Sequence, residues 1–316
     1  MAEPAAAYGA PNPMLGISLK IVSVVVFVGM HTSLKASGPD IPAGQLVFCR
    51  SFFALIPVVA YLAWLGDLRT ALKTDDFAGH VLRGVIGVSS MSLGFFALSR
   101  LPYPEWISIS YAAPLLTVVF AAVFLRETVR AYRWSAVVIG LLGVLVVTTP
   151  NMGIMGSVPD ARTTIGITAS LVSAAFSAVA MIQIRRLVRH EKTATIVVYF
   201  SLTSTGLSLL TIVFGWVWPT PEQAALLVAA GLCGGVGQLL LTACYRYADA
   251  STIAPFEYTS LILAIGIGYA LFGEAIGAST LIGSTIVVAA GIFIIWRESR
   301  LGLPRRESRR VTPPQG

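Results

Sequence analysis

Polar and apolar positions in this chain do not alternate; they segregate. Ten apolar stretches of 17 to 23 residues, at 14–35, 43–65, 80–99, 105–125, 133–149, 163–185, 194–214, 224–246, 252–272 and 277–296, are separated by short polar breaks. A helix needs about 20 predominantly apolar residues to cross a hydrocarbon core of about 30 Å. The pattern therefore predicts an all-α, polytopic membrane protein of ten transmembrane helices. The breaks are built from residues that end helices. Ser37-Gly38-Pro39-Asp40 closes the first stretch, and Leu101-Pro102-Tyr103-Pro104 makes a tight turn before the fourth. Residues 150–162, rich in Gly, Pro and Asn, form a mid-chain linker.

Composition narrows the reading. The 316 residues are 56% hydrophobic and 12% charged, about half the charge of a soluble domain. No soluble fold could cover that much apolar surface, and ten spans leave no room for a second soluble domain. The formal net charge of +7 is a matter of placement. With the N-terminus cytoplasmic, 17 of the 22 Lys and Arg fall in cytoplasmic segments and only Lys35, Arg100 and Arg162 fall outside. Lys20 and Arg50 lie within spans. This positive-inside bias predicts both termini in the cytoplasm and a cell inner (plasma) membrane location. The basic tail, 297–316, is expected to meet the anionic inner leaflet rather than nucleic acid. The cysteines, Cys49, Cys233 and Cys244, sit in apolar runs without a CxxC and read as small buried residues.

The chain also resembles itself. At an offset of 150, Gly16-Ile17 meets Gly166-Ile167 and Lys35 meets Arg185; at 147, Tyr111 meets Tyr258 and Glu127 meets Glu274. This predicts two five-span repeats, 14–149 and 163–296, behind a short N-terminal segment, 1–13. Five is an odd number, so the second copy must enter the bilayer from the opposite side. Inverted repeats are an architecture of secondary transporters, with a site at the repeat interface.

Several residues carry the pattern most clearly. Tyr111-Ala-Ala-Pro114 runs into Phe124-Leu-Arg-Glu127 and Gly140-Leu-Leu-Gly143; Tyr258 runs into Leu271-Phe-Gly-Glu274, then Gly283 and Ala290-Gly291. On these residues the chain resembles the EamA-type ten-span carriers of the drug/metabolite transporter superfamily, over roughly residues 14–296. The second copy departs by placing its proline, Pro255, before the tyrosine, which predicts a helix break about a turn closer to the cytoplasm. The resemblance implies a secondary transporter moving a small metabolite by alternating access, an amino acid or related amphipathic compound and more often an exporter. Uptake of a riboflavin-like vitamin is the alternative.

Candidate residues follow from chemistry in the spans. Ionisable groups in hydrocarbon are expensive and are functional suspects. His31 lies in the outer half of the first span. Arg50 lies about 10 Å deep by helix rise and could pair with a carboxylate, cap a helix end or bind a substrate carboxylate. Glu257, beside Pro255 and Tyr258, is the strongest candidate for proton coupling. Lys20 and Arg83 are close enough to the cytoplasmic side to snorkel. Ser90 and Gln238 belong to small, polar stretches of the third and eighth spans, which suit either close packing or cavity lining. Trp106, Tyr111 and Tyr258 are candidate cavity aromatics. Pro114 and Pro255 each free a carbonyl, of Ser110 and Ser251, and are candidate hinges. Glu127 and Glu274, at helix ends, are candidate gates. No cofactor or metal is expected, and His31, His80 and His190 are far apart in sequence. A membrane-embedded enzyme and a channel are the rival classes. The former lacks clustered acid–base or metal-ligating residues. The latter fits poorly with two inverted halves.

Overall fold

Each predicted span becomes a helix, and the ends are set by local chemistry. The computed structural model describes residues 13–300 apart from 65, 67, 69–71, 125–128, 153–159, 188–190, 192 and 249. The helices are α1 (Pro13–Ala36), α2 (Ala43–Trp64), α3 (Phe77–Leu98), α4 (Tyr103–Ser110), α5 (Ala112–Phe124), α6 (Ala131–Thr148), α7 (Ala161–Leu187), α8 (Thr193–Leu209), α9 (Pro221–Tyr247), α10 (Ala250–Ile253), α11 (Thr259–Phe272) and α12 (Ala278–Arg300). α4 with α5 makes one span, and α11 with the end of the 3₁₀ turn before it makes another, so among the described residues ten segments are long and apolar enough to cross a membrane.

α3 begins three residues earlier than the hydropathy suggests, because the Asp76 carboxylate accepts the Gly79 N–H at 2.9 Å and caps the helix. α9 starts at a capping box of Thr220 and Gln223 with Pro221 in the first turn. Asp160 accepts the Thr163 N–H at 3.2 Å and its hydroxyl at 2.7 Å at the start of α7. Gly273 closes α11 at φ +62°, a conformation that costs glycine least.

The fourth span breaks at Tyr111, three residues before Pro114, where the Ser110 carbonyl has lost its helical donor. The ninth breaks over a 3₁₀ turn, Ala254–Tyr258, that contains Pro255. Both breaks end at the tyrosine: α5 resumes at Ala112 and α11 at Thr259. The expected displacement of the second break is thus absorbed by the 3₁₀ turn reaching back from Tyr258, and the resumption points stay in register. Pro57 leaves α2 unbroken.

The principal helix contacts are α1 with α9, α3 with α7, α2 with α8 and α9, α3 with α8, and α6 with α12. All join the first half of the chain to the second. α6 and α12 cross backbone to backbone. A Cβ on Gly143 would lie 2.8 Å from the Gly283 carbonyl oxygen, and one on Gly283 would lie 2.5 Å from that of Gly143. Several glycines of the third and eighth spans serve the same purpose. Side chains at Gly84, Gly231 and Gly235 would run into Thr203, Phe53 and Pro57.

The outside of the bundle is apolar, with Ile262, Tyr269, Val123 and Leu271 all exposed. In water such a surface would drive aggregation, whereas in lipid it is solvated. Trp64, Trp134, Trp218 and Trp296 are exposed at helix ends, as an interfacial belt requires.

Candidate functional site

Tyr111 and Tyr258, one at each helix break, meet edge to face with ring centroids 5.1 Å apart. The Tyr111 hydroxyl pairs with the Ser260 hydroxyl at 2.5 Å and donates to the Glu257 carbonyl at 3.4 Å. The Tyr258 hydroxyl rests against Gly291 of α12, where any Cβ would overlap it. The two breaks are thereby locked to each other and to the last helix. The proline-freed backbone and the aromatic pair lie where the two halves of the chain meet.

Glu257 sits in the 3₁₀ turn beside Tyr258, and its carboxylate is gripped by the Lys20 ammonium of α1. The Lys20 side chain is 3% exposed and that of Glu257 51%. The expectation that Lys20 snorkels to the nearby surface does not hold, because its buried ammonium pairs with a half-exposed carboxylate supplied by the second half of the chain. Arg83 does not snorkel either. Its guanidinium carbon lies 4.3 Å from the centroid of the Phe200 ring, and its Nε and Nη1 are buried without a hydrogen-bond partner.

At one end of the bundle, which carries Lys35 and Leu101, three elements converge on Glu274. Its Oε1 meets the Lys35 ammonium at 2.9 Å, and its Oε2 accepts the Tyr103 N–H at 2.7 Å, at the start of α4. Lys35 also donates to the Leu101 carbonyl at 2.7 Å. A carboxylate at a helix N-terminus satisfies a free N–H and complements the helix dipole. Glu274 joins the end of α11 to α1 and α4. Glu127, its counterpart in the sequence, lies outside the described residues.

The opposite end has its own polar staple. Glu191, after α7, accepts the Thr74 hydroxyl at 2.5 Å and the Asp75 and Asp76 N–H groups at 3.0 and 3.3 Å. His80 lies 3.7 Å away, stacked on Tyr199. Burial opposes ionisation of Glu191, but these donors outweigh it and hold its carboxyl below the usual range.

The remaining candidates divide. His31 packs against Trp106, centroids 4.8 Å apart, with Nδ1 buried and unpartnered. Trp106 is 7% exposed and donates its indole N–H to the Gly94 carbonyl at 2.9 Å. Arg50 is 5% exposed; its Nε has no partner, and its guanidinium carbon lies 5.9 Å from the Phe200 centroid. Ser90 is committed to α7: it donates to the Ser173 carbonyl at 3.0 Å and pairs with the Ser177 hydroxyl at 2.6 Å. Gln238 is half-buried on α9. Pro114 is exposed and Pro255 half-buried. Thus His31 and Trp106 come together, as do Tyr111, Glu257 and Tyr258, while Ser90 turns to a helix-packing seam. Phe200 looks in the sequence like any apolar residue, and only the fold sets two arginines beside its ring. Among the described residues no group of His, Cys, Asp and Glu could hold a metal. The open groove between α6 and α12, lined by Ala136, Ile139, Ile286, Ala290 and Phe293, is apolar.

Comparison with known proteins agrees with this layout. The EamA-like transporter family matches twice, over residues 14–149 and 164–297. An S-adenosylmethionine uptake transporter of Rickettsia bellii is 26% identical over 286 residues, covering 90% of this chain and 95% of that protein. A riboflavin transporter of Vibrio cholerae is 27% identical, covering 88% and 90%. The pseudopaline exporter CntI of Pseudomonas aeruginosa is 27% identical, covering 88% and 94%. A solved crystal structure with 18% identity matches with a TM-score of 0.63, covering 90% of this chain and 98% of that one, and so shares the fold.

Proposed function

Because the chain belongs to the EamA-like transporter family, and is thus a multi-pass membrane transporter of small metabolites rather than an enzyme, we propose that it works by alternating access between two inverted five-helix repeats. The observation that carries this reading is the pair of broken spans. Each of the two family-matching stretches has a proline-associated break ending at a tyrosine, and the two tyrosines touch each other. Broken helices at a repeat interface supply a polar backbone where a substrate can bind mid-membrane. The packing supports the same reading. The contacts of α1 with α9 and of α3 with α7 exchange with each other when the halves are interchanged, as do those of α2 with α9 and of α3 with α8.

In this reading both termini are cytoplasmic, the basic tail faces the anionic inner leaflet of the cell inner membrane, and the Lys35–Glu274 end faces outwards. Closure at that end would alternate with closure at the other. The substrate is an amino acid or related amphipathic compound, and the net direction is export. A proton on Glu257 would release Lys20, so that pair is the place for proton coupling. Uptake is the second reading, favoured by the relatives named as S-adenosylmethionine uptake transporters.

The test is counterflow in proteoliposomes with labelled amino acids, S-adenosylmethionine and riboflavin. A carrier gives saturable uptake that an internal pool of the same compound accelerates. Linear, non-saturating flux without counterflow would mean a pore and overturn the proposal. Glu257→Gln is expected to flatten the pH dependence of transport. An unaltered pH profile would remove Glu257 from coupling.

A further inference from the structure

Two arginines sit in the interior of the bundle with no acid among the described residues to answer them. Arg50 on α2 is 5% exposed, and the Nε and Nη1 of Arg83 on α3 are buried. A guanidinium cannot shed its proton to escape the cost of burial, as a lysine or a histidine can. The ion pairs among the described residues include Lys20–Glu257, Lys35–Glu274 and His80–Glu191. None includes either arginine. The two instead share one aromatic ring, with guanidinium carbons 4.3 Å (Arg83) and 5.9 Å (Arg50) from the centroid of Phe200 on α8. A desolvated cation–π contact offsets only about 2 kcal/mol. The burial of each charge costs several. Two like charges beside one ring also repel each other.

The surroundings keep these side chains in place. A Cβ at Gly87 would overlap Arg83 Nη1 and stand 2.6 Å from Phe200; one at Gly234 would stand 3.1 Å from Arg50 Nε. Room for the guanidinium groups has been left by glycines on α3 and α9. The cluster draws on α2, α3, α8 and α9, and hence on both halves of the chain.

We propose that the transported compound carries an oxyanion group, a carboxylate or a phosphate, which Arg50 and Arg83 bind together beside Phe200. This rests on the carrier reading and specifies its substrate class. Planar guanidinium forks match the paired oxygens of carboxylate and phosphate. An anion there neutralises a charge that the protein leaves unpaired. Since the two arginines belong to the first half and the ring beside them to the second, the anion's arrival and departure are tied to how the halves sit together.

The experiment measures melting of the purified full chain in detergent at constant ionic strength, with four compounds sharing a phenyl body. Benzoate and phenyl phosphate are the anionic probes; benzamide and benzylamine are the neutral and cationic controls. The anions are expected to raise the melting temperature in a saturable way and the controls to leave it unchanged. The stronger of the two anions identifies carboxylate or phosphate as the group preferred. Arg50→Gln and Arg83→Gln are each expected to weaken the anion response at least about thirtyfold. Arg83→Lys, which keeps the charge but not the fork, should fall between. If the glutamine variants do not fold, competition decides: acetate or inorganic phosphate added to the unaltered protein should displace labelled benzoate at constant ionic strength. Equal responses to benzamide or benzylamine, an unaltered anion response in the variants, or no displacement by either acetate or phosphate would overturn the proposal. Counterflow separates it from the carrier reading. Counterflow of a neutral or cationic compound that survives Arg83→Gln overturns the anion proposal and leaves the carrier standing. Anion binding with no counterflow of the bound anion overturns the carrier and leaves the site.

Discussion

Glu274→Gln tests whether the charged cluster at the Lys35 end holds that end shut. In the parent protein both carboxylate oxygens accept, Oε1 from Lys35 at 2.9 Å and Oε2 from the Tyr103 N–H at 2.7 Å. Glutamine has the same length but only one acceptor oxygen, its other terminal group being a donor. Whichever way the amide turns, either the ammonium or the Tyr103 N–H faces an NH₂ group. Lys35 cannot swing clear without giving up the Leu101 carbonyl at 2.7 Å. The side chains of Lys35 and Glu274 are 12% and 19% exposed, so water replaces the lost contact poorly. The loss of one charge-assisted bond here is about 1.5–3 kcal/mol. That weakens the closed end against an open one by about 10- to 150-fold. The assay places a single cysteine at Ile107, which is 6% exposed on α4, in a background with Cys49, Cys233 and Cys244 changed to Ala. Where opening and reclosing are fast, the rate of modification by a membrane-impermeant maleimide follows the open population. Glu274→Gln is expected to raise that rate by the factor above. Lys35→Met should do likewise, and the double variant should add little, since the two residues share one interaction. A rate within twofold of the parent for Glu274→Gln, or additive effects in the double variant, would refute the reasoning.

Gly291→Ala should destabilise the protein by about 1–3 kcal/mol through overpacking, because the new methyl overlaps the Tyr258 hydroxyl. Tyr258→Phe removes the overlapped atom, so melting curves should show a smaller penalty in that background; equal penalties would mean the methyl is accommodated elsewhere. Glu191→Gln should cost about 1 kcal/mol near neutral pH by weakening the hold on Thr74, Asp75 and Asp76. The Glu191 pKa is lowered on folding, so its charge stabilises above the unfolded value and that gain is lost as pH falls through the folded one. Parent and variant melting temperatures should therefore converge as the solution is made acid, and a gap that stays constant across the titration would contradict the assignment.

The ten spans, their order and most of their ends could be read directly, because solvation by lipid acts on local composition and on length. The break at Pro114 was legible for the same reason: a missing N–H is a property of one residue. So was the likeness of Tyr111 to Tyr258, which depends on spacing along the chain. Partnership was not legible. Lys20 and Arg83 read alike, as basic residues near a helix end, but among the described residues folding brings the Glu257 carboxylate to the first, and the Phe200 ring with another arginine to the second. Ser90 read as a polar residue in a small-residue stretch, and only the approach of α7 spends its hydroxyl on Ser173 and Ser177. Glu274 was visible as a helix-ending acid, yet its tie to Tyr103 spans 171 residues of chain. The insertion of each segment is settled within about 20 residues by hydropathy. Which buried charge meets a counter-charge depends on how segments far apart in sequence pack, and that information exists only once the two halves have closed on each other.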